Sequence, residues 1–349
     1  MNTKKLLSES QILLLTYVQS LFNKPIYLVG GAVRDIVIGI TPKDFDFCSE
    51  LTTDMVKEQL KGKHRTYLIG ERHGTVGFKV GDEMIEITTF RTESYTTGSR
   101  QPNVQFVTSI TEDLSRRDFT INAMAIRCDN YKLIDPFNGS GDINDKILRT
   151  VGDSKLRFKE DPLRILRAIR IASKYSLFIE DKTADRIGKM ADKLLEISKE
   201  RWVEEMDKIL VLDSYKVEKG LQFLWFCGIF KYIIPELQLQ YRYDQNSRYH
   251  DFELHQHTIN VVKAAPAILD LRWAALLHDI AKPFVRTENK NGHSNYINHE
   301  ILGADMVEKL SRHLKFSNSR REYIVDIIKN HLHDDCELRE YDNKGKLNK

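Results

Sequence analysis

Two aspartates separated by a single residue, Asp44 and Asp46, lie in the run Lys43-Asp44-Phe45-Asp46-Phe47. The alternation predicts a strand over 44–48, in which residues two apart share a face. Both carboxylates then project together, while Phe45 and Phe47 turn into the core. Paired carboxylates on a rigid face suit a hard divalent cation such as Mg²⁺, which shares its ligands between protein oxygens and substrate phosphate. Upstream, Gly30-Gly31 ends an apolar strand at 26–29 and opens a helix at 32–38. Backbone N–H groups at such a turn approach phosphate closely, and Arg34 stands one turn further in. A third acid, Glu86, alternates with Ile85 and Ile87 on another expected strand. Taken singly, these features are also a solvated strand edge, an ordinary turn and a surface cross-strand partner. It is their concentration, from Leu28 to Phe47 with Arg34 between them, that points to phosphate chemistry.

A second constellation is rich in histidine. His257, then the adjacent pair His278-Asp279, then His299 and His331 lie in separate segments with apolar flanks. One buried histidine is usually a packed core residue. Imidazoles and a carboxylate converging from several helices instead favour a divalent transition metal that activates water. The spacing matches an HD-type phosphohydrolase; a decayed copy kept for helix packing is the alternative.

The elements that must position these groups fall into two kinds. Strands are expected at 26–29, 44–48, 66–69, 74–80, 84–90 and 104–107, with helices at 6–22 and 32–38 and a polar loop at 91–103. Arg116, Arg117 and Asp118 open a segment to Ile126 whose apolar members predict a buried helix. Beyond residue 155 the pattern is helical, over 162–175, 180–197, 200–213 and 216–230, followed by a histidine-rich block from 253. Eight of the eleven histidines fall between His255 and His333. The 349 residues are 41% apolar and 30% charged, an ordinary globular composition of two or three domains. No apolar run approaches a membrane span, and the polar N-terminus lacks a signal sequence. Cys48, Cys128, Cys227 and Cys336 are too dispersed for a disulfide framework or thiolate zinc site, which fits a cytoplasmic protein. A net charge of +3 conceals a local basic stretch, 155–174, holding seven Lys or Arg against two acids.

Four motifs, in order, carry a family resemblance: GGAVRD with DFDF, EITTFR, RRDFTINAMAI at 116–126 with IDPFNGSGDI at 134–143, and EDPLRILRAIRIA at 160–172. The chain resembles the class II branch of the nucleotidyltransferase superfamily, the CCA-adding enzymes and bacterial poly(A) polymerases. The resemblance implies an α+β chain: a nucleotidyltransferase-type α/β head with a mixed sheet over 1–150, a helical neck and body over 151–240, and an HD-type helical domain over 241–349. It implies two Mg²⁺ at Asp44 and Asp46, with Glu86 as a further catalytic acid. Gly30, Gly31, Arg34, Arg117, Asp161, Arg164, Arg167 and Arg170 become nucleotide-binding candidates, and the substrates become CTP, ATP and the acceptor arm of tRNA. No protein partner is indicated.

Base-edge chemistry gives Asp161 and Arg164 a specific task. Cytosine and adenine both set an amine donor beside a ring-nitrogen acceptor, which a carboxylate and a guanidinium complement. In the family the matching residues select C and A without a nucleic-acid template, and the following arginines hold the nucleotide. The bland readings are an N-cap at Asp161-Pro162 and a solvated arginine face. A flexible loop at 91–103 is associated with switching from C to A addition. The resemblance also leads us to expect helices beyond His331 that grip tRNA, whereas 18 residues follow it here. An A-adding or poly(A)-adding enzyme, a phosphohydrolase with a nucleotide-binding head, and an inactive RNA-binding scaffold are the competing readings. The HD block weighs against the first, and the intact acidic motifs against the last.

Overall fold

The computed structural model describes residues 3–68, 74–94, 103–246 and 252–333; residues 95–102 of the expected loop and Cys336 lie outside them. Two compact units divide the chain, Met1–Asp161 and Pro162–Lys349. The first is a mixed seven-stranded sheet with helices, and the second is helical.

In the head, the strands run across the sheet as Thr66–Leu68, Thr75–Val80, Glu83–Thr89, Asp46–Ser49, Tyr27–Val29, Ala125–Arg127 and Leu133–Ile134. Asp46–Ser49 pairs in parallel with Glu83–Thr89, and the other pairings are antiparallel. Leu28, Phe47, Val76, Phe78, Ile85, Ile87 and Ile126 belong to one buried cluster; Val29, Cys48, Phe90, Ala123 and Ala125 belong to another. With apolar layers on both sides, the central strands lose the simple alternation of a half-exposed sheet.

This explains a correction. The helix expected across 116–126 is a 3₁₀ turn at Thr120–Asn122 followed by the strand Ala125–Arg127, which pairs with Tyr27–Val29. Ile121, Ala123, Met124, Ala125 and Ile126 are all fully buried, and a short continuous apolar run carries no period that separates helix from strand. The expected loop 91–103 also begins and ends in strand: Arg91–Ser94 pairs with Asn103–Phe106. The helix expected at 6–22 spans Glu9–Ser20, closed at its start by a capping box between Ser8 and Gln11.

The helical unit supplies rigid supports for the histidines. All three tryptophans are buried with their indole N–H satisfied: Trp202 donates to the Leu194 carbonyl, Trp225 to that of Leu237, and Trp273 to Asp207. Arg272, also buried, donates to the carbonyls of Ala265, Pro266, Leu210 and Leu212, tying the helix Leu269–Leu277 to the end of Lys199–Leu210. Among the described residues no helix is long and apolar enough to cross a membrane.

Candidate active site and metal centre

The strand expected at 44–48 is Asp46–Ser49, so Asp44 lies just before it and Asp46 is its first residue. Both acids are exposed, whereas Phe45 and Phe47 are buried. Glu86 is the register partner of Asp46 on the adjoining parallel strand, so the two carboxylates leave neighbouring backbones about 5 Å apart. Asp46 titrates above the ordinary aspartate range, first through loss of hydration, with Arg117 opposing and Asp44 adding to the rise. Glu86 is raised in the same way, by lost hydration and then by Asp46 and Asp44. These acids form an open, under-neutralised set. Their oxygens do not close to within 4.8 Å as a trio, as the groupings in the helical unit do. All-oxygen donors of excess negative charge fit a hard divalent cation that keeps room for substrate oxygens.

Beside them, Gly30 adopts φ +72 and ψ −132, a conformation open to glycine alone, at the start of the helix Gly31–Ile38. A Cβ on Gly30 would stand 2.8 Å from Nη1 of Arg117, while one on Gly31 would meet Arg34 at 3.4 Å. Arg117 thus lies across the glycine turn. Its Nη2 donates to Asp113 at 3.3 Å, and its buried Nε has no hydrogen-bond acceptor. Replacing Gly30 by alanine is expected to cost about 2 kcal/mol from backbone strain, and to displace Arg117. Thermal melts of Gly30→Ala and Gly31→Ala would show it: a large drop for the first and a small one for the second. Equal drops would mean that neither the positive φ of Gly30 nor the close approach of Arg117 carries weight.

Arg34 is buried. It donates through Nε and Nη2 to Asp35, and through Nη1 to Asn122 at 2.7 Å. Asn122 in turn donates to Asp118, which also accepts the Phe119 N–H. Arg116 donates to Asp113 and Glu93, and Glu93 also holds Arg91. Sequence reasoning missed Asp113, which is fully buried beneath both arginines of the pair. Its position four residues before Arg117 was the available signal.

Asp161 ends the helix Ser154–Glu160 in extended conformation, and Pro162 caps Leu163–Tyr175 without a side-chain bond. The arginine stripe is not a solvated face: Arg164 is buried and Arg167 and Arg170 are half-buried. Arg170 ion-pairs through Nε with the buried Glu205 at 2.5 Å.

In the helical unit, His257 sits inside the helix Leu254–Ala264. His278 and Asp279 follow Leu269–Leu277, His299 opens His299–His313, and His331 follows Asn318–Asn330. All five are buried. Nδ1 of His278, His299 and His331 each lies 2.7–2.8 Å from the carbonyl three residues earlier, of Ala275, Tyr296 and Ile328. A carbonyl only accepts, so each Nδ1 carries the proton and each Nε2 presents a lone pair. Those lone pairs converge. Nε2 of His257 and His278 are 3.3 Å apart, and those of His299 and His331 are 3.2 Å apart. Asp279 lies between, with Oδ2 3.4 and 3.2 Å from the first pair and Oδ1 3.2 and 3.9 Å from the second. Neither buried oxygen receives an aligned hydrogen bond. The facing lone pairs of His299 and His331 repel unless a cation joins them, so the donor set fits a transition metal. Burial pushes His331 down to about 4, leaving a neutral imidazole at neutral pH. Burial alone would raise Asp279, but the positive charge around it, Lys282 included, holds the carboxyl well below the usual range.

Three family models match in order: the poly A polymerase head domain over 26–149, the probable RNA and SrmB-binding site of polymerase A over 176–240, and the HD domain over 254–343. The chain belongs to the class II nucleotidyltransferase family. It is 43% identical over 185 residues to the CCA-adding enzyme of Bacillus subtilis, covering 53% of this chain and 46% of that one. To the CCA-adding enzyme of Streptococcus thermophilus it is 40% identical over 213 residues, covering 61% and 51%. The chain therefore spans about half the length of the curated relatives it matches. The crystal structure of the Bacillus stearothermophilus CCA-adding enzyme in complex with CTP aligns at a TM-score of 0.65 and 27% identity, over 93% of this chain and 70% of that one. The α+β head followed by helical domains is the family's architecture, and a nucleotidyltransferase head implies a divalent metal.

Proposed function

We propose that the chain adds C, C and A to the 3′ end of tRNA without a template, using CTP and ATP and releasing pyrophosphate. The observation that carries this reading is the facing of Asp46 and Glu86 across parallel strands, beside a glycine turn overlaid by Arg117. Asp44, Asp46 and Glu86 would hold two Mg²⁺. Such ions supply Lewis acidity, easing deprotonation of the tRNA 3′-hydroxyl and neutralising charge on the leaving pyrophosphate.

The chain's own residues orient the reactants. Backbone N–H groups at Gly31 and the first turn of its helix face the nucleotide phosphates. Arg34, braced by Asp35 and Asn122, holds that turn in shape. Arg117, lying across that turn, offers its guanidinium to the nucleotide. Asp161 accepts from the base amine and Arg164 donates to the ring nitrogen, admitting C and A and leaving U and G with mismatched groups. Arg167 and Arg170 complete the basic stretch, with Glu205 fixing Arg170. Contacts to the acceptor arm run largely through phosphate, so affinity falls steeply with salt.

The converging Nε2 atoms favour a second activity: hydrolysis of phosphoesters, including 2′,3′-cyclic phosphates, at the HD site with a bound transition metal.

The test supplies Mg²⁺, a tRNA lacking its 3′ end, and each NTP alone and combined, with products resolved to single nucleotides. Extension by C, C and A that then stops is expected. Long adenosine tracts would make it a poly(A) polymerase, arrest at CC would place A addition elsewhere, and no extension by folded protein would overturn the reading.

A further inference from the structure

The helix Ser214–Phe226 turns Val217, Leu221 and Leu224 inward and leaves Tyr215 58% exposed on its outer face. Lys219, one turn on, shares that face, and its ammonium stands 4.8 Å from the centre of the Tyr215 ring. A second ring meets it from another element. In the strand Phe178–Ile179 the isoleucine is buried and Phe178 is 67% exposed, and the same ammonium lies 5.7 Å from the centre of the phenyl ring. The arrangement is held from below. A Cβ on Gly220 would stand 2.8 Å from Cγ2 of Ile209 and 3.2 Å from Oγ of Ser173, so the helix is pressed onto Leu163–Tyr175, the element that leads into Phe178. Neighbouring Lys216 and Lys263 pair with Asp213 and Glu218. Lys219 has no carboxylate partner among the described residues and faces the two rings instead.

We propose that Phe178, Tyr215 and Lys219 form a stacking platform for an unpaired nucleotide of the RNA substrate, its base on a ring and its phosphate at the ammonium. The proposal rests on the reading that the chain acts on tRNA. Two large rings left in water add little to the core, and the cation between them decides what can cover them. An apolar protein surface would bury that ammonium without a counter-charge, which is costly. A nucleotide supplies both parts: every base has a π-face to stack, and the phosphate beside it neutralises the lysine. All three residues fall within the matched stretch 176–240.

The experiment follows the fluorescence anisotropy of a labelled tRNA lacking its 3′ end, titrated with the full chain and with single variants shown by melting to be folded. Phe178→Ala and Tyr215→Ala are each expected to weaken binding about tenfold. Lys219→Gln should lower the slope of log affinity against log salt by about one. Phe178→Trp should keep the native affinity. Because all three native tryptophans are buried, the introduced indole is the one that RNA should quench and shield from acrylamide. Native affinity in Phe178→Ala, or an introduced indole as open to acrylamide with RNA as without it, would overturn the proposal. So would self-association of the native chain that Phe178→Ala abolishes at unchanged RNA affinity, which would make the surface a protein contact. A native chain that binds no tRNA would overturn the tRNA reading itself, and the platform with it.

Discussion

Asp46→Asn is expected to lower nucleotide addition by at least about a thousandfold, while the metal-free protein keeps or gains thermal stability. The two outcomes share one cause. Asp46 faces Glu86 in register on a parallel strand, and like charges placed directly opposite destabilise a sheet by about 0.2–1 kcal/mol. Both carboxyls titrate above their ordinary values, first through lost hydration, then through Asp44 in the case of Asp46 and through Asp46 and Asp44 in the case of Glu86. A carboxyl whose folded pKa exceeds its unfolded pKa costs stability once ionised. That cost grows as pH rises from the ordinary carboxylate range through the folded pKa, and stays at neutral pH. Asparagine removes it without changing side-chain shape. In EDTA, the gap in melting temperature between Asp46→Asn and the native chain should therefore widen from pH 4 to pH 7. Added Mg²⁺ should stabilise the native chain more than the variant, since binding to the folded state raises stability by mass action. A variant that melts well below the native chain in EDTA would show that the acids support the fold, and preserved addition would remove Asp46 from catalysis.

The head's chemistry was legible where it coincided with a period. Asp44 and Asp46 alternate with Phe45 and Phe47, and the burial of the phenylalanines follows that alternation. The pattern failed at 119–127, where a 3₁₀ turn and a central strand are buried on both faces and period two vanishes. The histidines stood out through the adjacency of His278 and Asp279. Their proton positions were hidden, because these depend on a carbonyl three residues back that only the helix ends bring into reach. Lys282, three residues after Asp279, was open to the same spacing argument that paired Asp161 with Arg164. It went unread because a lysine near a helix start is ordinary, and only burial makes it exceptional. Arg170 shows the reverse case: its type and spacing suggested a nucleotide contact, and its ion pair with buried Glu205 adds a packing role that no local pattern encodes.

Asp113→Ala is expected to be the most destabilising change in the head, at about 3–5 kcal/mol. The carboxylate is fully buried. Its Oδ1 accepts from the Arg91 N–H at 3.3 Å and from Arg116 Nε at 3.0 Å, and its Oδ2 accepts from Arg117 Nη2 at 3.3 Å. Glu93 also pairs with Arg116 and Arg91. Alanine therefore takes this carboxylate from both Arg117 and Arg116. Asp113→Asn keeps the shape but loses the charge, and should cost about 1.5–3 kcal/mol, the range for a hydrogen bond to a charged group. Its diagnostic effect is on catalysis. Arg117 lies over Gly30 and helps neutralise Asp46, so loosening it should raise KM for both CTP and ATP. If Asp113 acts through Arg117, Arg117→Lys should add little to a chain already carrying Asp113→Asn, and the double-mutant cycle should show strong coupling. Denaturant titration and steady-state kinetics on the four proteins measure both terms. Additive effects would mean that Asp113 supports the fold alone, and that Arg117 is held over the glycine turn by other contacts.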